Sequence, residues 1–190
     1  MIKADVTDKA LIIDILANAF DENQSVNYIV KQDGKRKERI RSLMAYSCEM
    51  CNIFGAAYLA DDKKACALVL YPDQKRFTIS TLILNLKLLI NAIGLTRIGK
   101  VMRRESAIKS NYPNVLIYHL WFLGVYNSEQ NKGIGSKLLT EIIADSRQQD
   151  KVIYLETSSP KNVQWYQKFG FKIYNEVDFN YKLFMLMWNK

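Results

Sequence analysis

Gly133 and Gly135 lie where an apolar run that ends at Val125 gives way to an amphipathic run. Glycines at such a turn keep backbone amides bare. Amides at the start of a helix also carry partial positive charge, which binds anionic groups. The chemistry this spacing can support is the gripping of a phosphate or pyrophosphate. Neither familiar nucleotide loop fits. "EQNKGIGSKL" lacks the order G-x-x-x-x-G-K-[ST], and Leu138 stands where G-x-G-x-x-G needs its third glycine. On the glycines alone, a ligand loop and a tight packing turn remain equally open.

Other reactive residues are few. Cys48 and Cys51 form a C-x-x-C pair, but after a long helical pattern rather than at the start of a helix following a strand, where a redox pair is expected. A zinc site lacks ligands, because the third cysteine is Cys66 and the single histidine is His119. No metal is expected, and the cysteines read as small buried apolar residues. The net charge of +8 comes from dispersed residues, with short clusters at Lys35–Lys37 and Arg103–Arg104 and no recognition motif. No nucleic-acid partner is expected; a phosphate-rich small ligand or simple solubility accounts for the charge. The N-terminus carries an early acid and no cleavage site, so a cytoplasmic location is expected. Phe77–Leu95 is the most hydrophobic stretch. Its Asn85, Lys87 and Asn91 favour a buried or interfacial helix over a membrane span, and no membrane partner is expected.

The elements that must position the glycine turn follow from periodicity. A short strand is expected at "IKADV", then a helix from Asp8 to Phe20 capped by Thr7. A second helical region follows Asp21, and a third runs from Lys35 to Glu49, with Ile40, Leu43 and Met44 at helical spacing. "NIFGAAYLADDKKACALVLYPD" reads as a hairpin turning at Asp61–Lys64. Residues 78–110 read as two or more helices broken near Gly94, an insertion at about 77–110 in a single domain spanning 1–190. "NVLIYHLWFLGV" (114–125) is apolar enough for a central strand covered on both faces. A helix over 133–149 follows, with Ile134, Leu138, Ile142 and Ile143 as its stripe. The strand "KVIYLETS", a short helix between Pro160 and Gly170, and two final strands complete a mixed α/β sheet.

The wider context narrows the reading of the glycines. Gln130-Asn131-Lys132-Gly133-Ile134-Gly135 fits a Q/R-x-x-G-x-G/A signature after a strand ending "FLGV", and Asn162-Val163-Gln164-Trp165-Tyr166 leads into "KFGF". Together these resemble the GNAT family of N-acetyltransferases, well over residues 118–175 and by element order in the N-terminal half. "YLETSSPKNVQWYQKFGF" looks most like the puromycin N-acetyltransferase-like branch.

The resemblance implies a mixed sheet of about six to seven strands, with a splayed strand pair holding acetyl-CoA. It implies direct acetyl transfer to a primary amine of a small molecule. A protein or peptide acceptor, or a non-catalytic acyl-CoA-binding module, is the alternative. It places Leu123 at the backbone position that meets the acetyl oxygen. Gly124 and Val125 lie beside the pantetheine, and Asn162 hydrogen-bonds that arm. Gln130, Asn131, Lys132, Gly133, Ile134, Gly135 and Ser136 face the pyrophosphate. Lys137 is a further charge near the phosphates or a solvated helix residue. The base position falls on His119, with Glu156 as its rival, and Tyr166 takes the position that protonates the departing thiolate. Trp165 is assigned to packing. The acceptor wall comes from the N-terminal helices and the 77–110 segment, which could equally be a structural insertion or a dimer contact. A monomer or homodimer is expected.

Overall fold

The computed structural model describes residues 1–189. Seven strands form one sheet: β1 (Ile2–Lys3), β2 (Gly55–Leu59), β3 (Ala65–Leu70), β4 (Ile117–Val125), β5 (Val152–Thr157), β6 (Lys172–Asp178) and β7 (Lys182–Trp188). Their order across the sheet is β1-β2-β3-β4-β5-β7-β6. Every neighbouring pair is antiparallel except β4 and β5, which run parallel.

Seven α-helices cover the sheet: α1 (Lys9–Ala19), α2 (Gln24–Ile29), α3 (Arg36–Phe54), α4 (Ile79–Leu88), α5 (Ile98–Ser110), α6 (Ile134–Gln148) and α7 (Pro160–Gln167). On one face Ile15 and Leu16 of α1 and Met44, Cys48 and Cys51 of α3 bury against Leu68, Leu70 and Phe122. On the other face Leu138, Leu139 and Ile142 of α6 and Val163 and Tyr166 of α7 meet Ala67, Val69, Leu120 and Leu155. Each such fully buried aliphatic side chain contributes about 1.5–3 kcal/mol. The parallel β4–β5 pair needs a crossover, and α6 supplies it.

Several expectations hold, and others shift for identifiable reasons. The hairpin turns at Asp61–Lys64 as read from the sequence. The cap at the N-terminus belongs to Asp5, not Thr7. A 3-10 turn (Val6–Asp8) precedes α1, Asp5 accepts from the Thr7 amide, and Asp8 reaches back to the Asp5 amide at 3.3 Å. Helix α3 runs five residues past Glu49, and β2 starts only at Gly55. Met44, Cys48 and Cys51 lie at i, i+4 and i+7, so the buried face of α3 continues through the segment that reads as strand. The 77–110 segment is α4, prolonged by a π-helical turn (Leu89–Ile93), then a break at Gly94 (φ +75°) and α5. Strand β4 begins at Ile117 rather than Asn114.

Candidate active site

The sheet parts at its parallel pair. β4 and β5 stay in register at Ile117–Val152, Tyr118–Ile153 and His119–Tyr154, and no pairing continues beyond. β4 nevertheless runs on to Val125, and β5 to Thr157, where its other neighbour is β7. The edge of β4 that faces β5 therefore carries backbone N–H and C=O groups with no strand to bind them. Such an edge accepts an extended chain as an added strand.

A β-bulge bends β4 at the same place. Val69 pairs with Leu120 and Leu68 with Phe122, so Trp121 is an extra residue on the β4 side. The bulge inverts the alternation of faces. His119 shares the face of Leu70, towards α1 and α3, whereas Leu123 lies opposite Ala67 and packs towards α6. The sequence count of four residues between His119 and Leu123 puts both on one face of a regular strand; the bulge separates them.

Helix α6 begins at the open end of the fork. Gly133 is its N-cap, left-handed at φ +82°, and no side chain caps the helix. A Cβ at Gly133 would meet nothing within 4 Å, so only the backbone conformation demands glycine there. The first intrahelical bond runs from the Lys137 amide to the Gly133 carbonyl, which leaves the amides of Ile134, Gly135 and Ser136 free of intrahelical partners. At Gly135 the reason is space: a Cβ would sit 3.2 Å from Val125 Cγ2, so its absence lets α6 approach β4.

These elements wall a cavity of about 970 Å³. Leu123, Gly124 and Val125 line one side. Gln130, Asn131, Gly133, Ile134, Gly135 and Ser136 line the helix mouth, and Asn162, Trp165 and Tyr166 the far wall. The Trp165 indole N–H donates to Ser136 Oγ at 3.3 Å and ties α7 to the mouth of α6. Lys132 is not among the lining residues; its ammonium pairs with Glu129 at 3.2 Å. Lys137 pairs with Asp61 at 2.7 Å on the surface. Sequence reasoning missed Phe20, Asn23 and Gln24, which reach the cavity from the α1–α2 connection, and Ser158, Ser159 and Phe184. Only Ser159 carries a local signal, as the side-chain cap before Pro160.

Two groups of different character flank the fork. Tyr166 is buried among Trp165 and Phe171, and its hydroxyl has no hydrogen-bond partner among the described residues. Burial pushes its phenol above the ordinary tyrosine value, so it stays protonated. On the opposite face His119 Nε2 lies 2.9 Å from Glu156 Oε2, and its Nδ1 lies 3.4 Å from the Tyr112 hydroxyl. Tyr112, Tyr154 and Trp121 enclose the imidazole. Burial pushes the Glu156 carboxyl up, but the neighbouring His119 and Arg104 outweigh it and hold it below its ordinary value. Glu156 Oε1 is buried without a partner. The two residues that the sequence leaves as rivals for one role are thus hydrogen-bonded to each other. Neither lines the 970 Å³ cavity.

Residues 88–173 match the family model described as an acetyltransferase (GNAT) domain. That segment is similar to a GNAT acetyltransferase domain. The match takes in β4, the glycine turn, α6, β5 and α7, which are the elements that build the fork and its cavity. The GNAT fold extends over the whole chain. It is similar to a Corynebacterium glutamicum ATCC 13032 structure described as histone acetyltransferase HPA2 and related acetyltransferase, at 18% identity and TM-score 0.68, covering 97% of this chain and 93% of that one. It is similar to arylalkylamine N-acetyltransferase 2 from Aedes aegypti, at 16% identity and TM-score 0.63, covering 98% and 96%. It is similar also to a Drosophila melanogaster polyamine N-acetyltransferase, at 12% identity and TM-score 0.60, covering 100% and 98%.

Proposed function

We propose that this GNAT-like domain transfers an acetyl group from acetyl-CoA to a primary amine of a small molecule. The observation that carries the reading is the fork. An unpaired β4 edge, an uncapped helix mouth and the unpaired hydroxyl of a largely buried tyrosine converge on one cavity large enough for an extended ligand. These features fit coenzyme A part by part. The amides of Ile134, Gly135 and Ser136 suit its pyrophosphate, the open β4 edge suits the pantetheine amides, and Asn162 stands along the same wall. When bound, acetyl-CoA supplies the acyl group as an activated thioester.

The chain's own residues then handle protons. An alkylammonium with a pKa near 10.4 is neutral in only about one molecule in 2,500 at pH 7, so a proton acceptor contributes roughly 10²–10⁴-fold. The His119–Glu156 pair serves as that acceptor, with the imidazole taking the proton and the carboxylate stabilising the charge it gains. His119 sits at the closed end of the fork, about 10 Å along the sheet from Leu123, three β3 residues at about 3.3 Å each. The proton therefore reaches it through water or through the amine's own approach from the α1–α3 face. Tyr166, kept protonated by burial, gives a proton to the departing sulfur from the cavity side. In this reading the two proton-handling groups lie towards opposite faces of the sheet, His119 on β4 and Tyr166 on α7.

Similarity to the Aedes arylalkylamine and Drosophila polyamine N-acetyltransferases supports an amine of small-molecule size. A protein amine is the second reading, supported by the description of the Corynebacterium relative. The test is thiol release from acetyl-CoA over polyamines, arylalkylamines, aminonucleosides, aminoglycosides and amino acids, with wild type, His119→Ala, Glu156→Gln and Tyr166→Phe. One or more amines should be turned over. Tyr166→Phe should lower kcat at least tenfold with CoA affinity held within about twofold. Wild type that binds CoA and stays silent across the panel, while acetylating lysate proteins, would overturn the small-molecule reading.

A further inference from the structure

Helix α4 turns the wrong side chains outward for a helix in water. Ile79, Leu82, Ile83, Leu86 and Ile90 recur at helical spacing on one face, and all are exposed, Ile79 at 78% and Ile90 at 70%. Phe77, just before the helix, is 82% exposed, and beyond the break at Gly94 Leu95 is 76% exposed. Isolated exposed apolar residues are ordinary, but a continuous stripe of them marks an interaction surface.

The charge around the stripe identifies the partner. From Gln74 to Arg104 the chain has seven Lys or Arg and no Asp or Glu. Two of these arginines turn inward: Arg97 donates to the carbonyls of Asn27, Tyr28 and Val30, and Arg104 to Ser25 and Tyr181. Arg76, Lys87 and Arg103 are exposed and have no carboxylate partner among the described residues. An exposed apolar stripe in a segment whose unpaired charges are all cationic is the pattern of a helix lying in the plane of an anionic lipid surface.

Length and anchoring argue against a span. No single helix is long and apolar enough to cross a membrane, and the bent pair Ile79–Ile93 and Leu95–Ser110 turns by 96°. Ile79–Ile93 spans about 22 Å at 1.5 Å per residue, short of a ~30 Å hydrocarbon core. Its inner side is fastened to the body by buried Ala92 and Ile93, by Arg39 on the Asn91 carbonyl and by Tyr46 on Asn85. A second copy of this chain is a poor occupant, because a two-fold contact would set the same unpaired cations against themselves.

We propose that the outer face of α4 docks the protein onto anionic lipid bilayers, with the Phe77–Ile90 stripe in the headgroup boundary and Arg76, Lys87 and Arg103 on lipid phosphates. This revises the sequence expectation of no membrane partner, and it is independent of acetyl transfer. The experiment is flotation of the full chain with phosphatidylcholine vesicles and with vesicles containing 30% phosphatidylglycerol. Wild type should bind the anionic vesicles and not the neutral ones. Binding should fall at least tenfold in Leu86→Glu/Ile90→Glu and in Arg76→Glu/Lys87→Glu/Arg103→Glu, and weaken in 0.5 M salt. Both variants alter exposed side chains, so circular dichroism and melting should match wild type. Equal binding to both vesicle types, or none to either, overturns the proposal. So does a concentration-dependent dimer in sedimentation equilibrium that Leu86→Glu dissolves while vesicle binding is absent; the stripe then belongs to a second copy.

Discussion

Replacing His119 with alanine separates the structural cost of the fork from its chemistry. The His119 and Glu156 side chains are only 4% and 7% exposed and meet at 2.9 Å. Removing His119 leaves the buried Glu156 carboxylate without its hydrogen-bond partner, and an uncompensated buried charge of this kind costs about 3–5 kcal/mol. Arg104 also holds the Glu156 carboxyl down and stays in place, so the lower end, about 3 kcal/mol, is expected. For a chain of this size that corresponds to a Tm loss of roughly 6–12 °C. The pH dependence carries a sign. In wild type the depressed Glu156 carboxyl contributes stability that is present above its ordinary value of 4.5 and is lost as pH falls through the folded value. Without His119, only Arg104 and Tyr154 oppose the burial that pushes that carboxyl up, and it moves upward. The variant's penalty is then full at pH 8 and shrinks as pH falls through the raised value, where the carboxyl takes up a proton. Adding Glu156→Gln should recover most of the loss at pH 8. Urea melts at pH 5, 6.5 and 8 measure all of this. A penalty under about 1 kcal/mol that is the same at every pH, with no recovery in the double variant, would refute the account of the pair.

Gly133→Ala and Gly135→Ala should fail for different reasons. The first forces a left-handed alanine and costs about 1–2 kcal/mol in urea melts. The second presses a methyl against Val125 at 3.2 Å and should instead widen the α6–β4 gap, which a crystal structure or a changed Trp165 fluorescence would register. The three thiols should be silent to a disulfide reagent at pH 8 until the protein is unfolded. Burial pushes Cys48 up to about 11 and raises Cys51 and Cys66 as well. Rapid labelling of a native thiol would contradict the α3 packing.

What the sequence showed, and what it hid, follows from where each signal resides. The α6 stripe, the continuous apolar β4 and the Gly133 turn are local patterns, and the structure has all three. The end of α3 was legible in principle, since Met44, Cys48 and Cys51 keep helical spacing, but "NIF" before a glycine also suits a strand. The bulge at Trp121 was not legible, because it exists only through the pairing of β4 with β3 some fifty residues away. The His119–Glu156 contact depends on the parallel register of β4 and β5, which no local pattern encodes. The exposed face of α4 was hidden for a related reason. Hydrophobicity marks a helix for burial, and only the packed structure shows which side the core leaves uncovered.

The central claim is that the uncapped mouth of α6 and the open β4 edge together hold coenzyme A. Isothermal titration of the protein with coenzyme A and with pantetheine, which lacks the phosphates, measures it most directly. The account predicts saturable 1:1 binding of coenzyme A, much weaker binding of pantetheine, and at least tenfold weaker coenzyme A binding in Gly133→Ala. No heat with coenzyme A, or equal affinity for both compounds, would contradict it.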